Sequence, residues 1–263
     1  MHVIVAGGTG FIGSALCEAL KERGDRVTVL SRKGGPGRIT WEEPLPECDA
    51  VINLCGEGIL NRRWTPQFKK KIADSRIGAT RKLVEKMGGR GYLINASAVG
   101  YYGEGFLADV CERWEAAAAR AERWAAIRIG IVLGQGGSFG AMRRMFGLGL
   151  GGKVGSGRQG FSWIHLEDLV QLFLFVLDGR FEGVFEGTAP DPVTNGEFTE
   201  KLAKRLRRPA FLGIPGWALR LMLGEGAEAL LNGALVYPER ALQEGFQFRY
   251  GTLERALEEL CDG

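Results

Sequence analysis

VIVAGGTGFIGSAL, residues 3–16, is the stretch on which the fold turns. Val3–Ala6 is an apolar run short enough for a buried strand, and an apolar helical pattern opens at Phe11 and runs to Arg23, just before Gly24. Between them Gly7, Gly10 and Gly13 stand at the spacing GxxGxxG. Each glycine has a task in a strand–turn–helix unit that receives a pyrophosphate. One makes the turn, one lets the backbone approach the phosphates, and one lets the helix pack closely on the strand. The helix start adds free N–H groups and a positive dipole end. A glycine triplet alone is weak, but here it has the required strand before it and the required helix after it.

Outward from this unit the pattern repeats. Strands are expected over His2–Gly7, Arg26–Leu30, Asp49–Leu54, Gly91–Ala96 and Ala126–Leu133, with helices over Pro66–Met87 and Val110–Trp124. Strands alternating with helices predict an α/β fold, a Rossmann-type doubly wound parallel sheet. After about residue 135 the pattern changes. The glycine-rich FGLGLGGKVGSGRQG (146–160) precedes Trp163–His165, an apolar helix from Glu167, a strand at Val184–Glu186, a helix from Thr194 and a helical tail. Thr194 and Glu197 have capping-box spacing. Residues 1–135 therefore read as a dinucleotide-binding domain and 136–263 as a smaller, mixed, substrate-covering lobe packed against it. In that lobe the apolar WALRLMLG (217–224) is expected to pack into the core.

The end of the second strand selects the dinucleotide. NAD sites carry a carboxylate about 20 residues past the glycines to bind the ribose 2′-hydroxyl. Here that place reads Ser31-Arg32-Lys33, and no Asp or Glu occurs from Thr28 through Trp41. A hydroxyl and two cations suit a 2′-phosphate, which arginine can grip with two parallel hydrogen bonds. The expected cofactor is NADP(H).

Composition narrows the class further. Apolar residues make up 45% and charged residues 25% of the 263 residues, so a core of ordinary size is expected. The net charge is +3 and the basic residues are scattered, with no run interleaved with stacking aromatics, which argues against nucleic acid as a partner. No apolar run approaches the length needed to span a bilayer. The five cysteines form no CxxC and the only histidines are His2 and His165, so no metal site is expected. Unpaired cysteines suit a reducing compartment, and MHVIVAG already reads as a strand, so no signal peptide is expected and the location reads as cytoplasmic.

The stretches SRKGGPGRITW (31–41), DAVINLCGEGI (49–59), RRWTPQFKKKIADSRI (62–77), ASAVGYYG (96–103), RIGIVLG (128–134), GSGRQGFSWIHLEDLV (155–170), APDPVTNGEF (189–198) and YPERALQEGFQFRY (237–250) follow in order. Together with the glycine motif they resemble the short-chain dehydrogenase/reductase superfamily in its extended, NAD(P)-dependent epimerase/dehydratase-like branch. The likeness is to the atypical family often labelled "epimerase family protein" or sugar nucleotide epimerase, and it covers nearly the whole chain. It implies a cofactor site built from Gly7, Thr9, Gly10, Phe11, Ile12, Gly13, Ser31, Arg32, Leu54, Cys55, Gly56 and Arg76. The superfamily usually has Ala where Cys55 stands, so Cys55 reads as packing.

The same resemblance sets an expectation for catalysis that the chain fails to meet. The superfamily uses a serine together with a YxxxK pair, in which an ammonium one helical turn away lowers the phenol's pKa. Ser97 matches the serine. Aligning Glu115 with the acid that commonly follows the lysine puts Leu107 at the tyrosine position and Cys111 at the lysine position. Tyr102 and then Tyr101 are the replacement acids to consider, with oxidised nicotinamide the only cation the sequence places near them. His165 reads as a structural histidine, and Arg158 and Gln159 as residues that could meet an anionic substrate. Two functions stay open. One is an oxidoreductase or epimerase with non-standard catalytic residues, acting on a small, anionic or sugar-like molecule. The alternative is a weakly catalytic or non-catalytic NADP(H) sensor. Substrate identity and oligomeric state are encoded in none of these motifs.

Overall fold

The computed structural model describes residues 1–60, 62–88 and 91–262. The first half runs β1 (His2–Ala6), α1 (Phe11–Glu22), β2 (Arg26–Ser31), β3 (Arg38–Thr40), β4 (Ala50–Asn53), α2 (Pro66–Ala73), a π-helical turn (Asp74–Gly78), α3 (Ala79–Lys86), β5 (Tyr92–Ala98), a 3₁₀ turn (Val99–Tyr102), α4 (Phe106–Ala118), β6 (Arg123–Ile129) and β7 (Ile131–Leu133). The second half runs α5 (Gly137–Gly147), β8 (Gly160–Phe161), β9 (Trp163–His165), α6 (Leu166–Gly179), β10 (Gly183–Gly187), β11 (Val193–Thr194), α7 (Asn195–Leu206), α8 (Gly216–Leu223), a 3₁₀ turn (Gly224–Ala227), α9 (Glu228–Leu231), α10 (Glu239–Gln243) and α11 (Leu253–Asp262).

Seven strands form one parallel sheet in the order β10-β6-β5-β4-β1-β2-β3. The order reverses between β1 and β4, and ligands of such sheets lie at that crevice, outside the carboxyl ends of the strands. Burial on both faces explains the near-continuous apolar runs: Val3 to Ala6 and Ala50 to Asn53 are all buried. Leu16 and Leu20 of α1 share one core cluster with Leu169, Phe173 and Leu177 of α6. Leu83 and Val84 of α3 and Trp114, Ala117 and Ala118 of α4 cover the other face. The chain thus returns to the sheet after residue 135, since α6 and the edge strand β10 both come from the second half. Another cluster joins Phe139, Trp163, Phe198, Leu253 and Leu257, with Phe161 stacked on Phe198 at 4.1 Å.

Three expectations need correction. The helix expected over Val110–Trp124 is α4, Phe106–Ala118, and Arg123 and Trp124 already belong to β6. Gly105, at φ 75°, lets the chain turn into that helix. The strand expected over Ala126–Leu133 is two, split at Gly130, where an added Cβ would lie 2.5 Å from the Ser162 carbonyl oxygen. There the chain leaves the main sheet and pairs with β9. The third concerns WALRLMLG. Trp217, Leu221 and Met222 are 70%, 69% and 66% exposed, and Leu219 is the one buried residue of α8. The capping box is present: the Thr194 hydroxyl accepts from the Glu197 N–H, and the Glu197 carboxylate accepts from the Thr194 N–H.

Candidate cofactor and active site

Each glycine of the first turn is fixed by a distance. Gly7 has φ +82°, and an added Cβ would lie 2.8 Å from the Leu54 carbonyl at the end of β4. At Gly13 it would lie 2.3 Å from the Gly7 carbonyl oxygen, so helix and turn touch backbone to backbone. Gly10 differs. Its Cβ would meet nothing closer than the Gly7 oxygen at 3.3 Å and would otherwise enter open space. Gly10 is also the N-cap of α1 and offers no side chain, so the N–H groups of Phe11, Ile12 and Gly13 begin a helix with no acidic residue in its first turn. Thr9 and Gly10 are exposed, while Phe11 and Ile12 are half-buried. The Phe11 ring carries the segment after β7: an added Cβ at Gly134, Gly136 or Gly137 would strike it at 2.8 to 3.0 Å.

At the end of β2 the Ser31 hydroxyl donates to the Lys33 carbonyl at 2.7 Å, closing a short turn. Arg32 and Lys33 are exposed and take part in no ion pair among the described residues. Arg32 is close enough to Cys55 for its charge to act on that thiol, although burial dominates and pushes the thiol up to about 11. Cys55 is therefore a neutral packing group at ordinary pH. Its N–H donates to the fully buried Asn53 side chain, which also bonds Thr80 and Asn95. Trp114 closes this network by donating to Thr80 at 2.9 Å. Arg76, on the π-helical turn, lies against Gly56, with its guanidinium carbon 3.2 Å from an added Cβ there and 5.4 Å from the Trp114 ring centre.

A second group of side chains forms a row across three strands. Ser97 of β5 is in register with Arg128 of β6, which is in register with Glu186 of β10. Glu115 of α4 grips Arg128 with two hydrogen bonds of 2.8 Å, and both side chains are about nine-tenths buried. Ser97 is 3% exposed and donates to the same carboxylate at 2.6 Å. Tyr102 accepts from Arg128 at 2.8 Å and donates to Glu186 at 2.7 Å. The Arg128 guanidinium sits 3.4 Å from the centre of the Tyr101 ring. Burial alone would lower the Arg128 pKa; hydrogen bonds to Glu115 and Tyr102 more than offset it, and the pKa is raised. Burial first, then the hydrogen bond to Glu186, raise the Tyr102 phenol against the pull of Arg128. The cation beside the tyrosines is thus a residue of the chain, where the sequence had offered only nicotinamide. The sequence marked Glu115 only as an alignment anchor and Arg128 only as the first residue of RIGIVLG; a charge inside an apolar strand and another inside an alanine-rich helix were the signal that the two would pair.

The YxxxK positions hold no acid and no base. Leu107 packs against the Trp64, Phe68 and Ile72 cluster, and Cys111 is 3% exposed with its thiol pushed up to about 11 by burial. Two other residues prove structural. His165 accepts from the Glu167 N–H, as N-cap of α6, and meets Glu259 at 3.0 Å. Gln159 donates to the Val154 and Leu230 carbonyls and braces the glycine-rich loop. Arg158 is exposed.

Comparison with known proteins accords with this architecture. The family model of the NAD dependent epimerase/dehydratase family matches residues 3–117, and that of a domain of unknown function, DUF1731, matches 214–260. The chain is 40% identical to the epimerase family protein SDR39U1 of Mus musculus, over 99% of both chains. The crystal structure of human epimerase family protein SDR39U1 with NADPH superposes with a TM-score of 0.95 at 38% identity, covering all of both chains. A nucleoside-diphosphate sugar epimerase from Corynebacterium glutamicum gives 0.80 at 29% identity, covering 99% of this chain and 58% of that one. With its glycine turn, its parallel sheet and these relatives, the chain belongs to the NAD-dependent epimerase/dehydratase family, in the branch of the SDR39U1-like epimerase family proteins.

Proposed function

We propose that this protein binds NADP(H) tightly at the β1–β4 crevice and is a slow oxidoreductase or epimerase toward a sugar-nucleotide-like substrate. The observation that carries the reading is the free pair Arg32–Lys33 beside a glycine turn that leaves open space only at Gly10. The first turn of α1 donates its N–H groups to the pyrophosphate, Ser31, Arg32 and Lys33 meet the 2′-phosphate, and Leu54–Gly56 with Arg76 border a ribose. The relative crystallised with NADPH supports this choice of cofactor. When bound, the group supplies hydride transfer.

The residues around the reacting end explain the expected slowness. Leu107 offers no proton and Cys111 no charge. The Ser97 hydroxyl is committed to Glu115. Tyr102 keeps its proton at neutral pH because its pKa is raised, so it serves as a weak acid and a poor base. Tyr101 and Tyr102 remain the side chains through which a proton would pass, with Ser97 as the third member of the site. General acid–base help is typically worth about 10²–10⁴-fold, and its weakening leaves turnover low. Of the lobe expected over 136–263, the part outside the central sheet, built around Phe139, Phe161, Trp163, Phe198 and Leu253, is read as the substrate cover. The likeness to a nucleoside-diphosphate sugar epimerase favours an anionic, sugar-bearing substrate, which exposed Arg158 would suit. The five free cysteines suit a reducing compartment, and cytoplasmic residence completes the reading. No helix among the described residues is long and apolar enough to cross a membrane.

The test is an assay of the purified protein in which nucleoside-diphosphate sugars with NADP⁺ and simple carbonyl compounds with NADPH are followed by absorbance for net oxidation or reduction, and the sugar products are separated by chromatography to detect redox-neutral epimerisation. Turnover well below the enzyme median of about 10 per second is expected. Turnover at or above that value would overturn the claim of slow chemistry, and its persistence in Ser97→Ala, Tyr101→Phe and Tyr102→Phe would overturn the site as well.

A further inference from the structure

Exposed apolar side chains of the second half are gathered on three touching segments. Leu148 and Leu150 follow α5, and the Leu150 N–H donates to the Met145 carbonyl at 3.0 Å. The next residues run against the segment after α7. An added Cβ at Gly152 would lie 2.3 Å from the Leu212 carbonyl oxygen, and the Ile214 N–H donates to the Lys153 carbonyl at 2.9 Å. Phe211, 78% exposed, stands in that segment, and α8 opens two residues after Ile214. On α8, Trp217 and Leu221 lie one turn apart, with Met222 beside Leu221. The side chains of Phe211 and Trp217, each of about 150–250 Å², are mostly bare, and with the leucines they exceed the few hundred Å² of apolar patch that monomeric proteins ordinarily expose. The other side of α8 is fastened down. Leu219 is buried, Arg63 donates to the Leu221 carbonyl, and the Trp64 N–H donates to the Leu223 carbonyl at 3.1 Å. Just past the helix, Gly226 lies against the Trp64 indole, where an added Cβ would be 2.7 Å from the ring nitrogen.

The charges around this patch have one sign. No Asp or Glu occurs from Arg123 to Leu166 or from Lys201 to Gly224, the stretches that carry all three segments. Arg144 adjoins Met145 on α5, and Lys204, Arg207 and Arg208 stand at the end of α7, a few residues before Phe211. Arg144 and Leu206 line one cavity, so the two groups of cations are neighbours. All four are exposed and take part in no ion pair among the described residues. The acids beyond α8 are answered locally, Glu225 by Lys69 and Glu228 by Arg220. Tryptophan, phenylalanine and leucine side chains rimmed by free cations match the boundary between anionic headgroups and acyl chains. A second copy fits less well, because a two-fold contact would bring the same unpaired cations against one another, with no carboxylate in these segments between them.

We propose that this face, formed by α8, Phe211 and the Leu148–Leu150 turn, docks the protein on an anionic lipid surface without crossing it. The test is co-sedimentation of the full chain with vesicles of phosphatidylcholine alone and of phosphatidylcholine with phosphatidylserine, at low and at raised salt. The protein should pellet with the phosphatidylserine vesicles at low salt, stay in solution with phosphatidylcholine alone, and be released as salt screens the attraction. Arg207→Gln/Arg208→Gln should weaken phosphatidylserine binding about 30-fold, at the usual contribution of a cation near a charged membrane. Phe211→Ser/Trp217→Ser should weaken it at least about 30-fold by removing the inserted rings. All four positions are exposed, so circular dichroism and Tm should stay unchanged in both variants. If the serine variant unfolds, the arginine variant and the two vesicle types decide. Absence of binding to either vesicle, equal binding to both, or full binding by a folded variant overturns the proposal. A dimer in sedimentation velocity that Phe211→Ser/Trp217→Ser dissolves, with no vesicle binding, overturns it in favour of a second copy as the occupant.

Discussion

Replacing Glu115 by leucine should destabilise the fold more than removing Arg128 and Glu115 together. The substitution deletes both 2.8 Å hydrogen bonds to Arg128 and the acceptor of the Ser97 hydroxyl. It leaves a guanidinium whose side chain is 10% exposed with only the Tyr102 hydroxyl and the Tyr101 ring face. Breaking one side of a buried pair costs about 3–5 kcal/mol, because the remaining charge is uncompensated. The two surviving tyrosine contacts put Glu115→Leu near the low end, at about 3 kcal/mol. For a chain of this size that is a fall in Tm of roughly 6–12 °C. In Glu115→Leu/Arg128→Leu both charges are gone and two apolar side chains fill the space, so most of the loss should return. Urea melts of the two singles and the double give the coupling energy, expected at about 2 kcal/mol. A surface pair would give about 0–1 kcal/mol. A loss below about 0.5 kcal/mol in Glu115→Leu, or a double variant less stable than the sum of the singles, would refute the description of this pair as a buried, mutually dependent unit.

Gly10→Val should keep the fold, by circular dichroism, and lose NADPH binding, since its side chain enters the open space in which the proposed site puts the pyrophosphate. Gly13→Val should damage the fold itself, because its Cβ would lie 2.3 Å from a backbone oxygen; equal thermal stability of the two variants would contradict the assignment of their roles. Cys55 and Cys111 have thiols raised to about 11 by burial. A raised folded-state pKa gives a stability contribution present below the ordinary thiol range and lost as pH rises toward 11, so the melting temperature should decline over that interval, and less so in Cys111→Ala. At pH 8 both thiols should resist iodoacetamide in the native protein, as peptide mapping by mass spectrometry would reveal. Tyr102→Phe should cost under about 1 kcal/mol, because Tyr102 is 43% exposed, Arg128 keeps its two hydrogen bonds to Glu115, and half-exposed Glu186 is left within reach of water; a larger loss in urea melts would assign it a structural role.

The central sheet is legible because β1, β2, β4 and β5 are apolar runs between turn residues, and the glycine turn specifies its neighbours by spacing alone. β3 escapes such reading: one exposed and two half-buried residues on the sheet edge carry no period. α4 is misread at both ends, since a run of alanines has no amphipathic stripe and its start is set by Gly105. The break at Gly130 depends on the approach of Ser162, thirty-two residues away. The Arg128–Glu115 pair, thirteen residues apart and on different elements, exists only once β6 and α4 are packed. So does the row of Ser97, Arg128 and Glu186, which register alone creates. The π-helical turn that presents Arg76 interrupts a segment whose apolar pattern reads as one helix, Pro66–Met87.

The central claim is that a phosphate-binding arginine at the end of β2 makes this an NADP(H) protein, and calorimetric titration with NADPH and NADH tests it most directly. NADPH should bind about 10- to 100-fold more tightly, the value of one hydrogen bond to a charged group, and added salt should narrow the gap. In Arg32→Ala the preference should collapse while NADH affinity is unchanged. Equal affinities for the two dinucleotides in the unsubstituted protein would contradict the account.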